Sequence, residues 1–265
     1  MRTAGHLVGL VVVVLALPTL AAASLPPTGV VHVAAPPGTP PVRHGAALYA
    51  ANCLSCHGDR GRGVTAFGPT RGAGDLRGQG PPLRGVGALA PDFYLRTGYM
   101  PLSGPGVQPR RSRVLFSDRE IRGLVAYVAS LGRGPAVPRP HPERGRVSLG
   151  LELFTNHCAG CHQVVAKGGY VTGSVAPPLD STTPVQVAEA VRIGPYVMPS
   201  FSKKQITDAE LDSIIAYVQY AKHPDDRGGW AIGHVGPWPE GAVTWLIAAA
   251  VLVAVCVVIG ERARS

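Results

Sequence analysis

The chain has 265 residues, of which 46% are hydrophobic and 15% are charged, and its formal net charge is +9. Its 34 glycines and 26 prolines suit small loop-rich domains and linkers better than one large aliphatic core. This composition excludes a highly charged disordered chain. The five cysteines and three methionines are few enough to be considered one by one.

The first predicted element is an export segment at residues 1–23. Arg2 is followed by an apolar run from Leu7 to Leu17, and three alanines precede Ser24. A basic start, an apolar stretch and a small-residue site are typical of a secretory signal peptide. An uncleaved N-terminal anchor is the alternative, and under both interpretations the bulk of the chain is exported. A proline-rich linker is predicted at residues 24–42.

Two blocks of the chain repeat one sequence pattern. They are predicted to be domains at residues 43–135 and 148–223, joined by a linker at residues 136–147. Each block contains a C-x-x-C-H motif, a Pro-Pro-Leu turn, a Met-Pro pair and a final amphipathic stretch. The two motifs are offset by 105 residues and comprise Cys53, Cys56 and His57 in the first block and Cys158, Cys161 and His162 in the second.

Each block is predicted to be all-helical. The final helices begin at capping boxes, Ser117 with Glu120 and Thr207 with Glu210, and continue as apolar stripes. No stretch alternates convincingly like a strand, so the fold class is all-α. A helical unit of this size has little core, and a covalent or metal-bound group is expected inside it. Further helices are predicted at residues 43–54, 91–97, 148–159 and 184–193.

The C-terminal part predicts a membrane anchor. A pre-membrane segment at residues 224–241 leads into an uncharged stretch at residues 242–260, which is long enough as a helix to cross a bilayer. Trp238 and Trp245 suit an aromatic belt, and basic residues in the tail at residues 261–265 place the C-terminus in the cytoplasm. The cysteine within the span, Cys256, is expected to be apolar filler.

The C-x-x-C-H motif is the attachment sequence of c-type haem. Its two thiols add across the two porphyrin vinyl groups, and the adjacent histidine binds the iron. Zinc sites and disulfides are rival uses of paired cysteines, but a zinc site needs further ligands at short range. A thioredoxin-like motif would need a βαβ context that the pattern lacks. Two motifs in a repeat therefore predict two covalently bound c-type haems.

The methionines supply the predicted sixth ligands. Met100 and Met198 occupy matched positions, each before a proline, and the only other methionine is Met1. The predicted iron ligands are therefore His57 with Met100 and His162 with Met198. Ligation by His and Met raises the haem potential and leaves no open iron position, which favours electron transfer.

Further contacts to the haems are predicted from matched residues in the two blocks. The backbone carbonyls of Pro81 and Pro177 are expected to accept hydrogen bonds from the Nδ1–H of the motif histidines. Alternatively, these prolines are only turn residues. Arg96 and Arg192 are expected either to contact haem propionates or to be solvated side chains.

Each block resembles a class I cytochrome c, with its N-terminal helix, C-x-x-C-H, a Gly-Pro-x-Leu-like turn at residues 80–83, Met-Pro and a C-terminal helix. In the second block Ala176 replaces the glycine of that turn. The whole chain resembles the dihaem cytochrome c subunit of the actinobacterial cytochrome bcc complex, a menaquinol:cytochrome c reductase. The pre-membrane stretch at residues 228–241 is the most family-specific part of the resemblance.

The resemblance implies a subunit that takes electrons from the Rieske iron–sulfur protein, beside a cytochrome b subunit, and delivers them to a terminal cytochrome oxidase. It implies no bond chemistry in this subunit. One alternative is the electron-accepting subunit of a periplasmic dehydrogenase, and another is a dihaem peroxidase. Residues 43–139 carry 14 basic and 5 acidic side chains, which favours an acidic protein partner. Nucleic acid is not an expected partner of an exported, tethered haem protein.

Overall fold

A computed structural model describes residues 29–64, 80–102, 109–224 and 237–263. The predicted export segment and residues 225–236 of the pre-membrane segment lie outside the described residues, as do the side chain of Trp238 and residue Arg264. The described part is mostly helical, as the sequence predicts.

The described helices form two groups, each with its own core, followed by one separate helix. The first group comprises α1 (Pro41–Asn52), α2 (Leu54–His57), α3 (Leu89–Arg96) and α4 (Asp118–Ser130). The second comprises α5 (Val147–His157), α6 (Ala159–His162), α7 (Pro184–Ile193) and α8 (Asp208–Lys222), and the separate helix is α9 (Pro237–Arg262). We call the two groups the first unit and the second unit.

The first and last helices of each unit cross at a glycine. An added Cβ at Gly45 in α1 would lie 1.9 Å from the carbonyl oxygen of Gly123 in α4. In the second unit, an added Cβ at Gly150 in α5 would lie 1.9 Å from the carbonyl oxygen of Ser213 in α8. A side chain at either position would push the helices apart, so these repeated glycines set the closeness of the crossing.

The amphipathic stripes of α4 and α8 form the cores. Ile121, Leu124 and Val128 are buried in the first unit, while Leu211, Ile214, Ile215 and Val218 are buried in the second. Both predicted capping boxes are formed. A third box, at Thr183 and Gln186, begins α7. Because a capping box satisfies two otherwise unpaired N–H groups, it fixes where a helix begins.

The expectation that no segment forms a strand is wrong in the second unit. The strands β1 (Gly169–Val171) and β2 (Ser174–Ala176) pair as an antiparallel hairpin. Each strand has only three residues, which is too short for an alternating pattern to be visible in the sequence. The chain turns between them at Gly173, whose φ is +78°. Ala176, which replaces the expected turn glycine, ends β2.

The two units contact each other through α3 and α7. The Nη2 of Arg111, in the first unit, donates to the carbonyl oxygen of Ser181 at 3.0 Å and to Oε1 of Gln186 at 3.2 Å. The Nε2 of Gln186 donates to the carbonyl oxygen of Arg96 at 3.4 Å. Polar groups on the first turn of α7 are therefore tied to the first unit from two sides.

The helix α9 is long and apolar enough to cross a membrane. Its stretch Gly241–Arg262 has 22 residues and a mean hydropathy of 2.9, and it is not buried against the described parts of the units. Trp245, one of the two predicted belt residues, is 77% exposed. An apolar helix with this exposure needs an apolar environment outside the protein.

Candidate haem sites

The two C-x-x-C-H motifs have the same backbone conformation. In the first, the N–H of His57 donates to the carbonyl oxygen of Cys53 at 2.8 Å. In the second, the N–H of His162 donates to the carbonyl oxygen of Cys158 at 2.9 Å. Each motif is thus one helical turn, directly after the helix that crosses the last helix of its unit. This turn presents both thiols and the imidazole from one short, rigid segment.

Each motif histidine is oriented by a proline carbonyl. The Nδ1 of His57 lies 2.9 Å from the carbonyl oxygen of Pro81, and the Nδ1 of His162 lies 3.1 Å from that of Pro177. Since a carbonyl oxygen can only accept, Nδ1 carries the proton and Nε2 keeps its lone pair. Burial lowers the pKa of His162, although the hydrogen bond to Pro177 opposes this effect. The lowered pKa favours the neutral ring. Nε2 is the nitrogen that a metal ion would use.

The loop after each motif repeats as well, beyond the similarity that the sequence shows. The N–H of Gly63 donates to the carbonyl oxygen of His57 at 2.8 Å, and that of Gly168 to the carbonyl oxygen of His162 at 3.0 Å. Both glycines have positive φ. An added Cβ would lie 2.9 Å from the nitrogen of Pro82 at the first and 2.4 Å from the carbonyl oxygen of Ala176 at the second. These glycines let the proline segment approach the motif closely, and their shared offset of 105 was a signal that sequence reasoning missed.

The second motif opens onto a cavity of about 1270 Å³, a volume that includes the space open to solvent at its entrance. Most lining side chains are apolar. The lining includes all the residues expected to attach or bind the second haem, namely Cys158, Cys161, His162, Pro177 and Met198.

The cavity fits a covalently held haem by its donor set and its polarity. Cys158 and Cys161 lie in one wall as free thiols, next to an imidazole with Nε2 available. A thioether sulfur, Met198, lies in the same cavity. The porphyrin is a large apolar ring, and apolar walls would remove it from water at a gain of about 25 cal/mol per Å².

The surroundings of Met100 are described only in part. Its N–H donates to the carbonyl oxygen of Tyr94 at 3.0 Å, and its side chain packs against the core of the first unit. Residues 65–79 and 103–108, which fall between the first motif and α4, lie outside the described residues. The ligand role of Met100 therefore stays a prediction from its match to Met198.

The first cysteine of each motif lacks a property that a dithiol redox centre requires. Burial, with a smaller contribution from the neighbouring motif cysteine, raises the pKa of Cys53 to about 12 and that of Cys158 to about 11. A disulfide oxidoreductase needs the opposite, because the thiolate is the attacking species. Within the part of the chain that the structure describes, no three Cys, His, Asp or Glu side chains cluster as a metal site of the zinc type would require.

The two arginines at matched positions of the repeat face protein groups. Arg96 binds Asp92 at 3.0 Å and Asp118 at 2.6 Å. Arg192 donates to the carbonyl oxygens of Phe201 and Ile206 and binds Asp208 at 2.9 Å. Neither guanidinium lines the cavity of the second unit. The structure therefore does not place Arg192 where it would contact a propionate of a haem in this cavity.

Comparisons with known proteins point to the same chemistry. The family model described as cytochrome c oxidase, cbb3-type, subunit III matches residues 40–128 and 145–218, one match for each unit. The Cbb3-type cytochrome c oxidase subunit CcoP of Azospirillum sp. is 29% identical, over 66% of this chain and 60% of its own. Cytochrome c domains imply covalently bound c-type haem.

Two relatives match over more of their length. The cytochrome bc1 complex cytochrome c subunit of Corynebacterium diphtheriae is 32% identical, over 83% of this chain and 81% of its own. The subunit of the same name in Mycobacterium bovis is 35% identical, over 91% of this chain and 85% of its own. The haem motifs, the helical architecture and these similarities agree: the chain belongs to the family of cytochrome bc1 complex cytochrome c subunits.

Proposed function

We propose that this protein is a membrane-anchored dihaem electron carrier that takes electrons from a Rieske iron–sulfur protein and passes them to a terminal cytochrome oxidase. The observation that carries the proposal is the cavity of the second unit, where two thiols, an oriented imidazole and a thioether sulfur face one apolar space. The first unit has the same motif, the same histidine-to-proline contact and the same loop. Two haems, one in each unit, follow from this repetition.

In each proposed site the chain's residues hold the group and close the iron to other ligands. The haem supplies an iron that accepts and releases one electron. Cys53 and Cys56 would attach it in the domain at residues 43–135, and Cys158 and Cys161 in the domain at residues 148–223. His57 with Met100 and His162 with Met198 would hold the two irons and leave no open position, which would exclude peroxide and oxygen. The proline carbonyls keep the imidazole in one orientation and make it a stronger donor.

The similarity to subunits of bc1 complexes supports the proposed electron donor and the proposed complex. The relatives are cytochrome c subunits of a bc1 complex, and in this proposal the present chain assembles with a cytochrome b subunit and a Rieske protein in a quinol-oxidising reductase. Residues 43–139 carry 14 basic and 5 acidic side chains, whereas residues 140–224 carry 7 of each. A positive field around the first domain would speed association with an acidic partner.

The proposed location is the outer face of the plasma membrane. The apolar helix α9 would span the bilayer at residues 242–260 and hold the two units near its surface. Arg262, in the last turn of α9, supports a cytoplasmic C-terminus, because basic residues flanking a span favour the cytoplasmic side. A protease added to intact cells from outside should then cleave the haem domains but leave the C-terminal tail.

Purification in mild detergent tests the proposed partners. Mass spectrometry of the purified complex should find a cytochrome b, a Rieske protein and a terminal oxidase, with stoichiometric haem c on this chain. A periplasmic dehydrogenase in place of cytochrome b would contradict the proposal. Carbon monoxide gives a separate test of the electron-carrier role, because rapid binding by the reduced wild-type protein would reveal an open iron and favour the peroxidase alternative.

A further inference from the structure

The cavity of the second unit is completed by the first unit. Part of its lining comes from α3 and from the segment before α4, and these residues are Phe93, Thr97, Tyr99, Pro109 and Arg111. The second haem, which is part of the proposed function, would therefore be enclosed by both units. A property of that haem can depend on a side chain from the first unit.

Arg111 is held at the cavity wall by the second unit itself. Its Nη2 donates to the carbonyl oxygen of Ser181 and to Oε1 of Gln186. Gln186 is fixed in turn, because its Oε1 also accepts from the N–H of Thr183 in the capping box of α7. Both hydrogen bonds of Arg111 that involve described residues use Nη2, and a guanidinium has five N–H donors in all. The charge is thus anchored while further donors can serve a ligand.

No other Arg, Lys, Asp or Glu lines the described part of this cavity. A haem brings two propionate carboxylates into this largely apolar space. A carboxylate leaves water at a high cost unless it meets a cation or several hydrogen-bond donors. Arg192, which the repeat would align with this task, is already bound to Asp208 and to two backbone carbonyls outside the cavity.

We propose that Arg111 of the first unit is the cation that pairs with a propionate of the haem in the second unit and raises that haem's reduction potential. Reduction removes one positive charge from the iron centre, so a fixed positive charge nearby favours the reduced form. Arginine suits this task because its planar fork can bind a carboxylate with two parallel hydrogen bonds. The inference rests on the proposed function, since it requires a haem in the second unit.

Redox titration of the full-length protein with two matched variants tests the proposal. Arg111→Gln removes the charge at the cavity, and Arg113→Gln removes the same charge two residues away at an exposed position outside the lining. The second haem is identified as the redox wave that moves in Met198→His. At a fixed solution potential, Arg111→Gln should lower the ratio of reduced to oxidised second haem about tenfold. This corresponds to a fall of about 59 mV in the potential of that one-electron wave. Arg113→Gln should leave it in place.

The number of covalent haems, measured on the same samples, separates failure of this inference from failure of the proposed function. Wild-type protein without a second haem would refute the proposed function. Two haems with an unshifted second wave in Arg111→Gln, or an equal shift in Arg113→Gln, would refute the role of Arg111 alone. If Arg111→Gln loses the second haem, Arg111→Lys decides: retention with a near-wild-type potential supports the role of the charge, and loss in both variants contradicts it.

Discussion

The Nδ1–H of His162 donates to the carbonyl oxygen of Pro177 at a distance of 3.1 Å. This contact fixes the tautomer and the plane of the imidazole, while Nε2 remains available in the cavity. The same contact joins His57 and Pro81 in the other unit. A histidine held in this way is prepared to bind a metal ion before the group arrives.

Met198 is predicted to be the sixth ligand of the second haem. Met198→Ala should lower the potential of that haem and allow carbon monoxide to bind to its reduced form, because one axial position becomes open. An optical redox titration measures the potential, and an optical titration of the reduced protein with carbon monoxide measures the binding. Met100→Ala, the matched control, should open the first haem and leave the second unchanged. Unaltered spectra and potentials in Met198→Ala would remove Met198 from the ligand set.

Gly150→Ala is predicted to destabilise the second unit. The new methyl group would lie 1.9 Å from the carbonyl oxygen of Ser213, so α5 and α8 must separate. Overpacking of this kind typically costs about 1–3 kcal/mol. Thermal unfolding followed at the second haem should show a Tm lower by several degrees. Gly29→Ala is a suitable control because nothing lies within 4 Å of its added Cβ and it lies outside both haem motifs, and an equal loss in both variants would contradict the crossing as the cause.

The carboxyl of Glu189 in α7 is predicted to make stability depend on pH. It is 0% exposed, and neither oxygen has a hydrogen-bond partner among the described residues. Burial, together with the neighbouring Asp92 of α3, raises its pKa from 4.5 to about 9, and Arg96 opposes this in part. The folded chain thus keeps a proton that the unfolded chain releases above its lower pKa. Stability from this group is therefore full below pH 4.5 and falls as pH rises toward 9.

Glu189→Gln should remove most of that pH dependence, since an amide has no proton to release. Relative to wild type, the variant should gain several kcal/mol between pH 5 and pH 9, at about 1.4 kcal/mol for each pH unit, which is a Tm difference on the order of 10 °C. Thermal unfolding at both pH values measures this difference. The exposed Glu152→Gln serves as a control and should follow wild type. Parallel Tm curves for wild type and Glu189→Gln would contradict the prediction.

Local features and the matched contacts within each unit were predictable from the sequence, and contacts between the two units were not. The apolar stripes and the capping boxes at Ser117 and Thr207 are short-range patterns, and the structure contains them. The box at Thr183 has the same spacing, with Gln186 as its partner, and could have been found. The β1–β2 hairpin could not, because its strands are too short to show a period.

The contact between the units has no signal in the sequence. Asp92 and Glu189 lie on different units, and only the packing of α3 on α7 brings the two carboxyl groups together. The position of Arg111 in the cavity of the second unit arises in the same way. The match between the two blocks indicated Arg192 as the propionate contact instead, because such a match assumes that each unit supplies its own haem contacts. Residues of the first unit instead form part of the wall of the second unit's cavity.

The central claim is that each unit carries one covalently attached haem, and the intact mass of the membrane-extracted protein tests it most directly. Wild type should have the mass of the mature polypeptide plus two haems. The double variants Cys53→Ala/Cys56→Ala and Cys158→Ala/Cys161→Ala should each lose the mass of one haem and keep the other. A wild-type mass with one haem or none, or a double variant that still carries two, would contradict the account.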